Sequence, residues 1–167
     1  YAATTGRNPM PVAQKGANPW GLYDVHGNVW EYCWDLYGDY PEGKQRNYMG
    51  DPNGETRVIR GGRWVHLPYQ IRSAVRDDQN PATRSERVGF RLVRSIVHNH
   101  VYTRDPIAGN MIYVPETGPQ GFLQGAPSGE HCAYDREKPQ FIHRLTRKIL
   151  VMETEVSRHM WERLRAK

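Results

Sequence analysis

Asn18-Pro19-Trp20-Gly21-Leu22-Tyr23-Asp24-Val25-His26-Gly27-Asn28-Val29-Trp30-Glu31-Tyr32-Cys33-Trp34-Asp35 is the stretch on which the fold turns. Trp20, Trp30, Trp34, Tyr23 and Tyr32 carry large apolar surfaces. Side chains of that size contribute heavily when buried, so the stretch is predicted to lie at the centre of a core. The carboxylates need a different account. Asp24 and Glu31 flank His26-Gly27-Asn28, and Gly and Asn favour a tight reversal. A reversal there returns both side chains to one point with backbone carbonyls between them. Mixed carboxylate and carbonyl oxygens are how a hard cation such as calcium is held. The alternative is that Asp24 caps a turn and Glu31 pairs with one of the many arginines.

The chain has 167 residues, 38% hydrophobic and 25% charged, enough for one domain with its own core. Its 16 glycines and 12 prolines are scattered rather than repeated, which predicts many turns and few long helices. No apolar run approaches the roughly 20 residues of a membrane span. Tyr1-Ala2-Ala3-Thr4-Thr5 lacks a basic and an apolar region, so no signal peptide is visible. It also lacks an initiator Met, which suggests a start inside a longer chain or after processing. A formal charge of +5 permits an anionic partner. Yet the arginines are spread and have acidic neighbours, as in Arg76-Asp77-Asp78 and Arg84-Ser85-Glu86-Arg87, which argues against nucleic acid. Two cysteines, Cys33 and Cys132, allow one disulfide at most and form no C-x-x-C pair.

Residues 1–19 are predicted as loop, and residues 41–54 as a polar, turn-rich excursion. Arg57-Val58-Ile59-Arg60 predicts a short strand, interrupted by Gly61-Gly62 and continued by Arg63-Trp64-Val65-His66. Paired glycines of this kind mark a bulge or a close backbone approach. Ile71 to Arg76 alternates apolar with polar, and residues 77–81 are predicted to turn the chain. Arg87 to Val93 predicts one strand with Val88, Phe90 and Leu92 on one face. Residues 96–108 suit a linker; within it His98 and His100 could share a face and ligate a metal, although no third ligand stands nearby. Met111-Ile112-Tyr113-Val114-Pro115 starts a new strand, and Phe141 to Met152 is strand-like. Ser157 is a good N-cap for an amphipathic helix with Val156, Met160 and Leu164 at helical spacing.

Four ordered motifs resemble the formylglycine-generating enzyme family, the sulfatase-modifying-factor domains with a C-type-lectin-like fold. They are the stretch from Asn18 to Glu31, Arg57-Val58-Ile59-Arg60-Gly61-Gly62-Arg63-Trp64, Arg72-Ser73-Ala74-Val75-Arg76, and Val88-Gly89-Phe90-Arg91-Leu92-Val93-Arg94. Together they correspond to the C-terminal half of such a domain, over residues 1–95. Met111 to Pro115, Phe122-Leu123-Gln124-Gly125, Glu137-Lys138-Pro139-Gln140 and Glu155-Val156-Ser157 resemble the beginning of the same domain, with Gln124 and Ser157 departing from its usual Met and Thr. The resemblance implies an α+β, loop-rich fold with short antiparallel strands and few helices, fragmentary or permuted. The division expected is 1–95 for the C-terminal half of one module, 96–108 for a linker, and 109–167 for the N-terminal part of a second or permuted module. A tandem array and a circular permutation both give this order, and the absent middle of the domain favours the tandem fragment. The second part is expected to pack on the first or on a neighbouring module.

Members of the family oxidise a cysteine of nascent sulfatases to formylglycine, using copper held by two cysteines and molecular oxygen. The resemblance places those cysteines in the region Arg63 to Gln70, where this chain has none; copper and the oxidase activity are therefore not expected. The family's calcium positions fall on Asp24 and Glu31 through side chains, and on Gly27 and Val29 through backbone carbonyls. The expectation is thus a calcium-stabilised, non-catalytic binding or scaffold module of a kind common in bacteria, with protein or carbohydrate as ligand. The exposed loop around Trp64, His66 and Tyr69 is the expected ligand-facing surface. The alternative is one part of a multi-module oxidoreductase whose copper cysteines lie in a sibling module.

Overall fold

The computed structural model describes residues 8–96, 104–105 and 108–165. They are mostly short strands and loops with one helix. The strand predicted from Val58 and Ile59 is present as β3 (Arg57–Arg60). It lies beside β1 (Trp30–Leu36) and β4 (Arg76–Gln79), antiparallel to both. A short parallel strand, β5 (Val88–Gly89), completes this first sheet in the order β4-β3-β1-β5. Trp30, Ile59 and Val75 make its core, with Tyr32 and Val88 packed against them.

The aromatic stretch does not enter the core as a block. Trp30 is 7% exposed, but Trp20 is 56% and Trp34 72% exposed. The register between β1 and β3 shifts between Tyr32 and Leu36, and an irregularity of this kind re-aims side chains. Within the shift, Trp34 lies in the open beneath the Arg57 guanidinium, 4.8 Å from the ring centroid.

Three further predictions are corrected. Arg63 to His66 is a turn rather than a strand, because Gly61 and Gly62 both take positive φ and break the extended path. The turn predicted over residues 77–81 is mostly strand: after the alternating stretch Ile71 to Arg76, β4 runs over Arg76–Gln79, where Asp77 and Asp78 pair with Ile59 and Val58. The strand predicted over Arg87 to Val93 is two, β5 and β6 (Val93–Ser95). Between them the chain crosses from one sheet to another, and Phe90 and Leu92 carbonyls accept from Val156 and Met152 at 2.8 and 2.9 Å.

Both remaining sheets mix the two parts of the chain. β2 (Lys44–Arg46), inside the predicted polar excursion, runs parallel to β10 (Phe141–Arg144). β9 (Phe122–Gln124) flanks β10 on its other side. In the third sheet the order is β6, β11 (Ile149–Met152), β8 (Gly109–Val114) and β7 (Arg104–Asp105). Its inner face, with Met111, Leu150 and Met152, is closed by Ile96, Val156 and Met160. Met160 comes from α1 (Arg158–Arg165), and Ser157 Oγ accepts its N–H at 3.3 Å, as expected of an N-cap. The segment from Gly109 therefore packs on the segment ending at Ser95. Most of the predicted linker, with the His98–His100 pair, lies outside the described residues. Among the described residues no helix is long and apolar enough to cross a membrane.

Candidate metal site and its surroundings

The reversal predicted after Asp24 is built from left-handed backbone: φ is 55° at Asp24, 93° at Gly27 and 54° at Asn28. Gly tolerates this region freely and Asn and Asp better than other residues. The Gly27 N–H donates to the Gly61 carbonyl at 2.8 Å, and the Trp64 N–H to the Asn28 carbonyl at 2.9 Å. The reversal is thereby tied to the paired glycines, whose close approach was predicted. A Cβ at Gly62 would meet Ile71 Cγ2 at 2.6 Å and His66 Nδ1 at 3.1 Å.

Asp24 and Asn28 are both 3% exposed. Asp24 Oδ2 accepts from Ala13 N–H at 2.7 Å, and Asn28 Oδ1 from Met10 N–H at 2.8 Å. Glu31 is held by the Arg91 guanidinium through both oxygens, Nε donating to Oε2 at 2.7 Å and Nη2 to Oε1. Arg91 also donates to the carbonyls of Tyr23, Met152 and Glu153, so it staples the reversal to the end of β11. Of the alternative noted from the sequence, the pairing of Glu31 with an arginine is present, while Asp24 ties the reversal to the upstream loop at Ala13.

A third carboxylate joins them that the sequence did not point to. Glu155, 2% exposed, accepts from Asn28 Nδ2 through Oε1 at 3.2 Å, while its buried Oε2 has no partner. Burial, then the charges of Glu31 and Asp24, push its pKa up to about 7. It lies 127 residues from Asn28 in sequence, and only the packing of the chain's second part on the first brings it in.

The acidic groups here have spare oxygen acceptors around one cation. Three acidic groups converge on one cationic side chain, Arg91, which lowers the Glu155 pKa less than burial raises it. A carboxylate has about four acceptor sites, so Glu31 retains capacity after binding Arg91. Among the described residues, no hydrogen bond outside the strand ladders ends on the Gly27 or Val29 carbonyl oxygen. No group of three His, Cys, Asp or Glu among the described residues could hold a metal on its own, so carbonyl oxygens would have to complete the shell.

The loop expected to face a ligand is placed differently from its prediction. Trp64 is 6% exposed, because its N–H bond to Asn28 draws it inward. His66 stands edge-on to Trp30, ring centroids 5.2 Å apart, and burial, then Arg63, lower its pKa. What the loop presents to solvent is Val65, Leu67 and Tyr69. Cys33 and Cys132 are both free. Burial raises the Cys33 pKa to about 11, so it is a thiol at neutral pH.

The model of the sulfatase-modifying factor enzyme 1-like domain matches residues 2–96. The chain is similar to the serine/threonine-protein kinase pkn1 of Chlamydia caviae, 41% identical over 90 residues, which are 52% of this chain and 15% of that protein. It is similar to the formylglycine-generating enzyme of Bos taurus, 32% identical over 89 residues, or 51% of this chain and 24% of that enzyme. Among solved structures it is similar to Treponema denticola variable protein 1, with 34% identity and a TM-score of 0.49, covering 54% of this chain and 33% of that one. The chain thus spans under a third of the length of these curated relatives.

Proposed function

Since the chain belongs to the family of the sulfatase-modifying factor enzyme 1-like domain, we propose that it is a calcium-stabilised, non-catalytic binding or scaffold module. The observation that carries this reading is the convergence of Asp24, Glu31 and Glu155, with an unpartnered buried oxygen on the last. Asp24 and Glu31 side chains and the Gly27 and Val29 carbonyls would hold the ion. Calcium would add positive charge beside Arg91, whose guanidinium is already taken by Glu31, and would stabilise the fold by mass action. Arg91 holds the Glu31 carboxylate in place, and Asn28 holds Glu155.

The oxidase reading is disfavoured by the residues themselves. Soft thiolates suit Cu(I), and Arg63 to Gln70 contains no cysteine. The shared sheets support a single C-type-lectin-like module in permuted order over the tandem fragment that the absent middle favoured. A protein or carbohydrate ligand is proposed at the loop bearing Tyr69, with His66 at its margin.

The test is thermal unfolding in chelator and in calcium. At about 100 times Kd, calcium adds about 2.7 kcal/mol, or about 5–10 °C in Tm for a chain of this size. Asp24→Ala should abolish the shift; no shift in the wild type would overturn the calcium reading. Oxygen uptake with a cysteine peptide and Cu(I) should stay at background, and thiol-dependent uptake would overturn the non-catalytic reading.

A further inference from the structure

A groove of about 760 Å³ opens between the two parts of the chain, away from the residues discussed above. Asp39, Tyr40 and Glu42 form one wall, and Pro127, Lys138 and Pro139 belong to the other. Its size is that of a ligand site rather than of a packing gap. Tyr40 is a fixed part of it: the ring is 5% exposed, its hydroxyl receives Arg60 Nη2 and Gln124 Nε2, and its ring packs on Phe141 at 4.9 Å.

The charges on the two walls are not equivalent. Asp39 and Glu42 are exposed, and among the described residues no ion pair or hydrogen bond engages either carboxylate. Lys138, on the opposite wall, is already turned to Asp135 at 3.5 Å. The cations on Tyr40 have partners of their own: Arg76 is 1% exposed with its guanidinium over the Tyr40 ring, and Arg60 bonds the Tyr40 hydroxyl and the Ser73 carbonyl. In a chain of formal charge +5, the described lining of this groove has two exposed carboxylates against one cation, Lys138. Pro127 and Pro139 supply rigid apolar surface beside them.

We propose that the groove binds a basic peptide segment, with a guanidinium or ammonium group at Asp39 and Glu42 and its aliphatic stem along Pro127 and Pro139. A long cationic side chain buries its methylenes on apolar surface while its head stays with the charges, and complementary charge confers selectivity over neutral and acidic segments. Because both parts of the chain contribute walls, the bound peptide also holds them together. Neither calcium nor the Tyr69 loop enters this site.

The test is calorimetric titration of the full chain with N-acetyl-triarginine amide, its isosteric tricitrulline counterpart and N-acetyl-triglutamate amide at low ionic strength. Triarginine should bind at least tenfold more tightly than tricitrulline, and triglutamate should not bind. The double variant D39N/E42Q should weaken triarginine at least fivefold with an unchanged Tm, since both side chains are exposed. K138Q should strengthen it by removing the one cation in the walls. Amide shifts on binding should centre on residues 39–42 and 138–140. Equal binding of tricitrulline, unaltered triarginine binding in D39N/E42Q, or no binding at millimolar peptide would each overturn the proposal. The Tm of D39N/E42Q separates lost binding from lost folding, and K138Q tests the same site in the opposite direction.

Discussion

His143 is held as a neutral imidazole from both sides. Its Nε2 accepts from the Tyr48 N–H at 2.9 Å, so the proton belongs on Nδ1, which lies 2.6 Å from Gln124 Oε1. Burial lowers its pKa below the ordinary 6.5, and protonation would set a second N–H against the Tyr48 donor. The folded state therefore binds fewer protons than the unfolded one near and below that value. Its contribution to stability is present above pH 6.5 and is lost as the pH falls through the depressed folded value. Glu155 acts in the other sense: its raised pKa makes the calcium-free fold lose stability as pH rises from 4.5 towards about 7. Urea unfolding of wild type and His143→Gln from pH 5 to 8, in chelator, separates the two. The wild type should lose its advantage over the variant as pH falls; a pH-independent difference would rule the imidazole out. At the same scale, Glu155→Gln removes the buried charge whose cost raises the pKa to about 7, so in chelator at pH 8 it should stabilise the protein by about 1–3 kcal/mol.

Among the elements, the Gly61-Gly62 loop decides most of the local geometry. Gly62 has φ +76° and no room for a Cβ beside Ile71. Gly62→Ala should cost about 1–3 kcal/mol through backbone strain, read as a lower urea midpoint at unchanged m. Gly129→Ala, where nothing lies within 4 Å of the added carbon, should be neutral to within about 0.5 kcal/mol. The sequence showed this loop because glycine pairs have a backbone meaning that does not depend on tertiary context. It showed the Asp24-to-Asn28 reversal and the Ser157 cap for the same reason. It failed at β2, since Lys44-Gln45-Arg46 has no apolar pattern and becomes a strand only because β10 lies beside it. It failed at Trp34, where a register shift between Tyr32 and Leu36 undoes the alternation. In the candidate site, Asp24 and Glu31 were singled out by their spacing around the turn, and the structure engages Glu31 with Arg91. Glu155 was not, because its place depends on how β11 packs against the reversal.

At the scale of the molecule, the segments on either side of residues 97–103 share two sheets and a buried ion pair. Arg72 donates to both oxygens of Glu137, 2.8 Å at the closer, and to Glu130 at 2.9 Å. Glu137 is fully buried, whereas the Arg72 side chain is 21% exposed. Removing Arg72 leaves a buried carboxylate without its counter-charge, so Arg72→Ala should cost about 3 kcal/mol. The strand pairs β2–β10 and β6–β11 add backbone hydrogen bonds, and Tyr40, Tyr48 and Phe141 pack as one aromatic cluster across the same boundary. If these contacts make the two segments one cooperative unit, covalent continuity between them is dispensable. A protease site inserted between Ile96 and Arg104 should then yield, after cutting, two fragments that co-elute on size exclusion as one species and unfold in a single transition. Arg72→Ala should weaken the cut complex more than the intact chain, because loss of the tether makes folding depend on fragment concentration. Fragments that separate after cutting, with the first still folded, would show two independent modules and restore the tandem account of the motif order.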